Sequence, residues 1–419
     1  MRKLIILAII VAAVGWAEAA TYYVDSEIGQ DDPSRKGGPL EPWQTITYAL
    51  SRASGENTFM CRGKFEEEVW VAYEDRRSEF TANPAATLVG WLECDYETGV
   101  DLNGFRVYGY AAGGSKAGID ATDCYFNNPT GPALGIHRFY GGAWAEDCII
   151  EDCTSVCGAS GWEFGSLAFS DCEIRDCGRG ISVGGEATTS LTRCRFFDVG
   201  GTVFSGFFYG EGASFRSCEF YDCETVIFLR GWITHGYWGH INDSTFRGNA
   251  EVITVEKEGD WGTVDISGNY IIENRGTALT LGGKNVELRA NVVKDNEGHG
   301  VYITEYDADL GTPGDPGGNT FAGNKSGYDV YNASPENIPA YGNTWAPQSE
   351  AEMAGKTWQE VNVTRIYDHW DDPDVGYVMW SEPMLGVGPA SLGQIKASFK
   401  GGPTSGQGAP GRRPSAAEE

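Results

Sequence analysis

Between residues 124 and 345 apolar and polar positions alternate in short bursts that return at a nearly constant interval. With Cys172 of the stretch "DCEIRDC" as position zero, equivalent positions fall at Cys124, Cys148, Cys194, Cys218, Ser244, Asn269, Asn291, Asn319 and Asn343, in steps of 22 to 28 residues. Two positions on, every copy is apolar: Phe126, Ile150, Ile174, Phe196, Phe220, Phe246, Ile271, Val293, Phe321 and Trp345. A spacing of two is the period of a strand, so positions zero and plus two face one side and their neighbours the other. Five positions on, a second column reads Pro129, Cys153, Cys177, Val199, Cys223, Asn249, Asn274, Asn296 and Asn324.

A repeat of this length with strands and no amphipathic helix predicts one turn of a β-solenoid, each coil stacked on the last at about 4.8 Å. Like positions then form columns. Cysteine in a column behaves as a small buried hydrophobe, and asparagine can bond its amide to the copies above and below. The outward positions agree: Glu173, Arg195 and Glu219 occupy plus one on three successive coils, and Glu151 faces Arg175 at plus three. Such exposed pairs contribute only about 0.2–1 kcal/mol each, which marks a solvated surface. The cysteines therefore read as packing rather than as a metal site, because no histidine accompanies them and the columns continue without thiols. Disulfides between neighbouring coils fit the permitted Cα separation, and a total of eleven leaves at least one cysteine outside any intrachain pairing.

The N-terminus changes the picture of where the chain works. Residues 1–20 hold two basic residues, an apolar run from Leu4 to Val14 and small residues at Ala17 and Ala19, the pattern of an export signal peptide. The run is shorter than the roughly 18 apolar residues of a membrane span. The expectation is a secreted protein, extracellular, periplasmic or at the cell surface, with no membrane span. A formal net charge of −28 excludes nucleic acid and anionic membranes as partners and favours neutral ligands or divalent cations. After Met384 the composition turns to Gly, Pro and Ser, predicting a flexible tail over residues 385–419.

Three further segments carry a resemblance. "TYYVDSEIGQDDPSRKGGPLEPWQTITYAL" sets a strand, an Asp/Gly-rich turn, the Pro42-Trp43 pair and a helix near Gln44 to Arg52; "TFMCRGKFEEEVWV" supplies a first coil, and "IYDHWDDPDVGYVMW" a closing segment. Together with the repeat they resemble the right-handed parallel β-helix proteins of the pectin-lyase-like superfamily, the last segment resembling the end of many secreted bacterial members. The resemblance covers nearly all of residues 21–384. It implies an all-β fold, a single-stranded right-handed parallel β-helix (solenoid) with an N-terminal capping helix: strand and cap over 21–55, the helix proper over 56–345, a closing segment over 346–384. It says little about activity, since one scaffold carries lyases, hydrolases, epimerases and adhesins.

Candidate chemistry concentrates on one edge. Strands beginning at Val226, Val252, Ala278 and Val301 lie on four successive coils and end in Arg230, Glu256 with Lys257, Gly282, and Glu305. The first runs into Trp232, His235, Tyr237, Trp238 and His240, and Trp261 follows on the next coil. Aromatic faces stack on sugar rings while charged rims fix hydroxyls or carboxylates, so Trp232, His235, Trp238, Trp261, Glu256 and Glu305 are the expected glycan-binding residues. Gly282 would leave a notch between charged exits. The loop after Glu305 offers Asp307, Asp309 and Asp315, hard oxygen donors suited to Ca²⁺. The resemblance adds a comparison at His299: Gly298-His299-Gly300 matches a triplet of polygalacturonase-like hydrolases, but their Asn-Thr-Asp and Asp-Asp partners are missing from the preceding coils.

Two functions fit these residues. The first is binding of a glycan or cell-surface polysaccharide without established catalysis. The alternative is a Ca²⁺-dependent uronate lyase, in which the metal acidifies an α-proton that Lys257 or Arg230 removes. A structural, adhesin-like surface protein stands third.

Overall fold

The computed structural model describes residues 20–72, 77–137, 141–160, 165–208, 212–232, 239–259, 262–306, 308–325 and 327–382, with backbone alone at residues 137, 158–160 and 232. Bends, not strands, set the coil. The residue before each column-zero position has left-handed backbone: Asp123, Asp147, Asp171, Arg193, Ser217 and Asp243 have φ of 52 to 56°, and Gly268, Ala290, Gly318 and Gly342 continue the series at 57 to 70°. A second corner precedes the plus-five column, at Asp152, Asp176, Asp198, Asp222, Glu273 and Asp295, with φ of 50 to 59°. Asp and Gly tolerate this region best. The two aspartates of "DCEIRDC", Asp171 and Asp176, are thus corner residues that turn the chain and drop the following cysteine inward.

Each coil from Tyr125 onward carries strands of three sheets, called first, second and third in the order the chain meets them. In one coil they are Glu173–Arg175, Ile181–Gly185 and Thr188–Thr192. Each pairs in parallel with its counterparts one coil away, as in Ile150↔Ile174↔Phe196. Towards the N-terminus the long strands Arg77–Cys94 and Gly99–Gly113 run through the corners, so the sheets merge. The result is a right-handed parallel β-solenoid.

The core is the inward column set. All ten plus-two residues are at most 6% exposed, and Phe196, Phe220 and Phe246 stack face to face at 5.1 and 4.8 Å. Each such side chain contributes about 1.5–3 kcal/mol of burial. All eleven cysteines are free and buried; the inter-coil disulfides that the spacing permits are not formed. Pro129 departs from the expected column. It is exposed, and Asn128 takes the buried place, with its N–H on Cys153 Sγ at 3.2 Å and its amide on Pro132 O at 2.8 Å.

Both ends are closed, as an open sheet edge would otherwise invite pairing. Helix α1 (Ile46–Arg52) starts at Thr45, whose hydroxyl caps the Tyr48 N–H, and buries Ile46, Ala49 and Leu50. At the other end α2 (Pro347–Met353) packs by the last coil. There Asp329, fully buried, terminates the asparagine ladder by accepting the Asn324 amide at 2.8 Å and the Arg365 guanidinium at 2.8 Å. Among the described residues no helix is long and apolar enough to cross a membrane.

Candidate functional site

The second sheet presents one outward column along the solenoid: Gly135, Gly158, Ser182, Ser205, Phe228, Thr254, Thr280, Tyr302, Tyr331 and Tyr367. Small residues recess the surface in its upper half. A groove of about 560 Å³ lies there, lined by Ser155, Ser182, Thr202, Ser205 and Thr225, with Arg179 and Glu224 beside them. Arg179 and Glu224 follow the plus-five corner, which lifts both into solvent. Among the described residues no hydrogen bond or ion pair holds the Arg179 guanidinium.

Further along, the same face carries the expected edge, rearranged. Arg230 and Glu256 are in-register partners, half exposed, with Nε 3.5 Å from Oε2. Lys257 is not beside them. Strand alternation turns it inward, where it is 0% exposed and its ammonium donates to Gly259 O at 3.0 Å and Lys284 O at 2.8 Å. Gly283 makes room for it, since a Cβ there would lie 2.5 Å from Lys257 Cβ. Gly282 aligns with exposed Glu305 across a register shift, but the expected notch is filled: the Thr304 hydroxyl stands 2.6 Å from where a Gly282 Cβ would be. Trp232 ends the strand Thr225–Trp232 opposite Glu258; its side chain, and all of His235, Tyr237, Trp238 and Trp261, lie outside the described residues. His240 sits on the third sheet against Asp265, with Nδ1 to Oδ2 at 3.3 Å.

The acidic loop is also differently disposed. Asp307 lies outside the described residues. Asp309 and Asp315 come together around Arg289, whose Nη2 and Nε reach them at 2.7 and 2.8 Å, and Asp309 Oδ1 accepts the Gly311 N–H at 2.7 Å. Their oxygens serve a guanidinium in place of the expected cation. Among the described residues no group of three or more His, Cys, Asp or Glu is arranged to hold a metal ion. His299 joins an aromatic cluster, 5.6 Å from Tyr302, 5.8 Å from Tyr328 and 5.0 Å from Tyr331. Burial there pushes its pKa down, so the ring is a neutral aromatic face. Tyr331 and Tyr367 stack almost parallel at 4.1 Å.

The residues missed from the sequence are the groove set, Arg179, Ser182, Ser205 and Glu224. Their signal was the small-residue run Gly158, Ser182, Ser205 at one outward strand position, which shows only after coils of unequal length are put in register.

Fold and groove together define a β-solenoid with a polar cleft on one sheet. The chain belongs to the right handed beta helix region family, whose model matches residues 98–280 and 167–345. Among solved structures it is similar to a GH136 lacto-N-biosidase from Eubacterium ramulus, at 9% identity and a TM-score of 0.40, over 78% of this chain and 68% of that one. It is also similar to a rhamnogalacturonan lyase, at 12% identity and a TM-score of 0.28, over 89% and 92%. No curated protein matches it.

Proposed function

We propose that the second-sheet face binds a glycan chain laid along the solenoid axis, without turning it over. The observation that carries this reading is the groove of about 560 Å³ in which five hydroxyls converge beside an uncommitted Arg179. Ligand clefts of this size use a few convergent polar groups to fix orientation. Hydroxyls that both donate and accept suit a polyhydroxylated ligand. A planar guanidinium can grip a carboxylate or a vicinal pair of hydroxyls through two donors. Phe228 and the tyrosines from Tyr302 onward extend the same face with aromatic surface. The lyase alternative loses one of its two bases, because a fully buried ammonium already bonded to two carbonyls cannot reach a ligand.

Affinity electrophoresis on a polysaccharide panel, with and without Ca²⁺, tests the reading. Wild type should be retarded by at least one glycan, and Arg179→Ala and Ser182→Trp, which remove the cation and fill the groove, should each abolish most of that retardation with folding intact. Undiminished retardation in both variants moves the site elsewhere. Accumulation of an unsaturated uronate, read by its ultraviolet absorbance and lost in Arg230→Ala, would instead favour the lyase.

A further inference from the structure

A second groove, of about 450 Å³, opens on the third sheet near the N-terminal end, away from the site just described. Its floor is built around Trp144. The in-register outward column there runs Glu79, Asp101, Asp120, Trp144, Ala168, Ser190. Trp144 is 39% exposed. Two glycines account for its pose: a Cβ on Gly142 would lie 2.1 Å from Trp144 Cη2, and one on Gly118, a coil earlier, 2.7 Å from Cζ3. With no side chains beneath it, the indole rests on bare backbone. On the next coil the in-register outward neighbours of Gly142 and Trp144 are Ser166 and Ala168, both small. An exposed aromatic laid on glycine backbone and opening into a groove offers a stacking platform.

Carboxylates fill the same outward column on the three coils before the platform. Glu79 accepts from the hydroxyls of Thr58 at 2.9 Å and Thr81 at 3.2 Å. Arg77 bonds Asp101 through Nε at 2.7 Å and also reaches Asp120. Burial first, and the adjacent Asp101 next, raise the pKa of Asp120. Glu146 completes the lining. Four carboxylates with one guanidinium leave the groove strongly negative.

We propose that this groove is a second, independent saccharide site that takes an oligosaccharide of pyranosides without carboxyl groups, one ring stacked on Trp144 beside Asp120 and Glu146 and the hydroxyls of neighbouring rings donating to Asp101 and Glu79 along the column. Aromatic surface supplies the affinity. Ionised carboxylates are acceptors only, so they pair with hydroxyl or ammonium donors and repel uronates. The two grooves thereby differ in charge preference: the second sheet offers a cation, the third a carboxylate wall.

Calorimetric titration of the full chain in the Arg179→Ala background isolates this groove, with cellohexaose, its glucosamine counterpart and hexagalacturonate as probes. Cellohexaose and the amino oligosaccharide should bind, and hexagalacturonate should not. Trp144→Ala, a change at an exposed position, should weaken cellohexaose about tenfold or more with an unchanged circular dichroism spectrum. Asp120→Asn should relieve the exclusion of hexagalacturonate. Equal affinity in Trp144→Ala, no binding of either non-acidic probe, or hexagalacturonate bound as tightly as cellohexaose each overturns the proposal. Because the second-sheet site is read with Arg179→Ala and Ser182→Trp, either site can fail without the other.

Discussion

One buried column is filled with sulfur in the coils from Cys124 to Cys218 and with amides in the coils from Asn269 to Asn343, and the two halves hold their corners differently. In the amide half each side chain serves both neighbours. Asn291 Oδ1 accepts the Asn269 N–H at 3.0 Å and its Nδ2 at 2.9 Å, while Asn291 Nδ2 donates to Ile266 O at 2.7 Å and onward to Asn319 Oδ1 at 3.0 Å. In the sulfur half Cys172 Sγ sits 3.4 Å from Ala145 O and 3.2 Å from Ser170 O, a weak donor against strong acceptors. Ser244 joins the two: its hydroxyl accepts the Cys218 N–H at 3.0 Å, and its own N–H goes to Asn269 Oδ1 at 3.0 Å. The column therefore demands a small inward side chain first. A hydrogen-bond ladder is an addition that one half has and the other replaces with packing.

That difference should appear in urea titrations of single variants. The largest loss is expected from Asn291→Ala, which strips the acceptor from the Asn269 N–H at 3.0 Å and Nδ2 at 2.9 Å and the donor from Ile266 O at 2.7 Å. Buried groups left unpaired cost about 1–3 kcal/mol each. Cys172→Ala should cost about 1 kcal/mol, the ordinary consequence of trimming a packed side chain; a loss equal to that of Asn291→Ala would erase the contrast between the halves. Least of all should come from Arg195→Ala. Its guanidinium meets Glu173 at 2.6 Å, but the side chains are 52% and 23% exposed, so a change within about 0.5 kcal/mol that shrinks in salt is expected.

The columns were legible because they rest on a local rule repeated ten times: period two in each strand, one small residue at each corner. The outward charge pairs followed from the same register, and Arg175 does meet Glu151, at 2.6 Å. For Lys257 strand parity prevails over charge. Val255 is buried and Glu256 exposed, so alternation alone puts Lys257 inside; the two carbonyls that make this tolerable come from Gly259 and from Lys284, a coil later. Asp309 and Asp315 share one loop, yet their partner Arg289 lies a coil earlier and no loop motif announces it.

From its own pattern the chain determined a coil of about two dozen residues, which positions face in, and where cysteine and asparagine are interchangeable, because each is decided within a few residues by sterics and strand parity. Only the stacked structure decided which outward residues share a groove. Coils that differ by up to six residues in length must be put in register before Arg179, Ser182 and Ser205, or Asp120 and Trp144, become neighbours. Whether a side chain stands free or is held by the next coil is a fact about contacts, and strand parity carries no information on it.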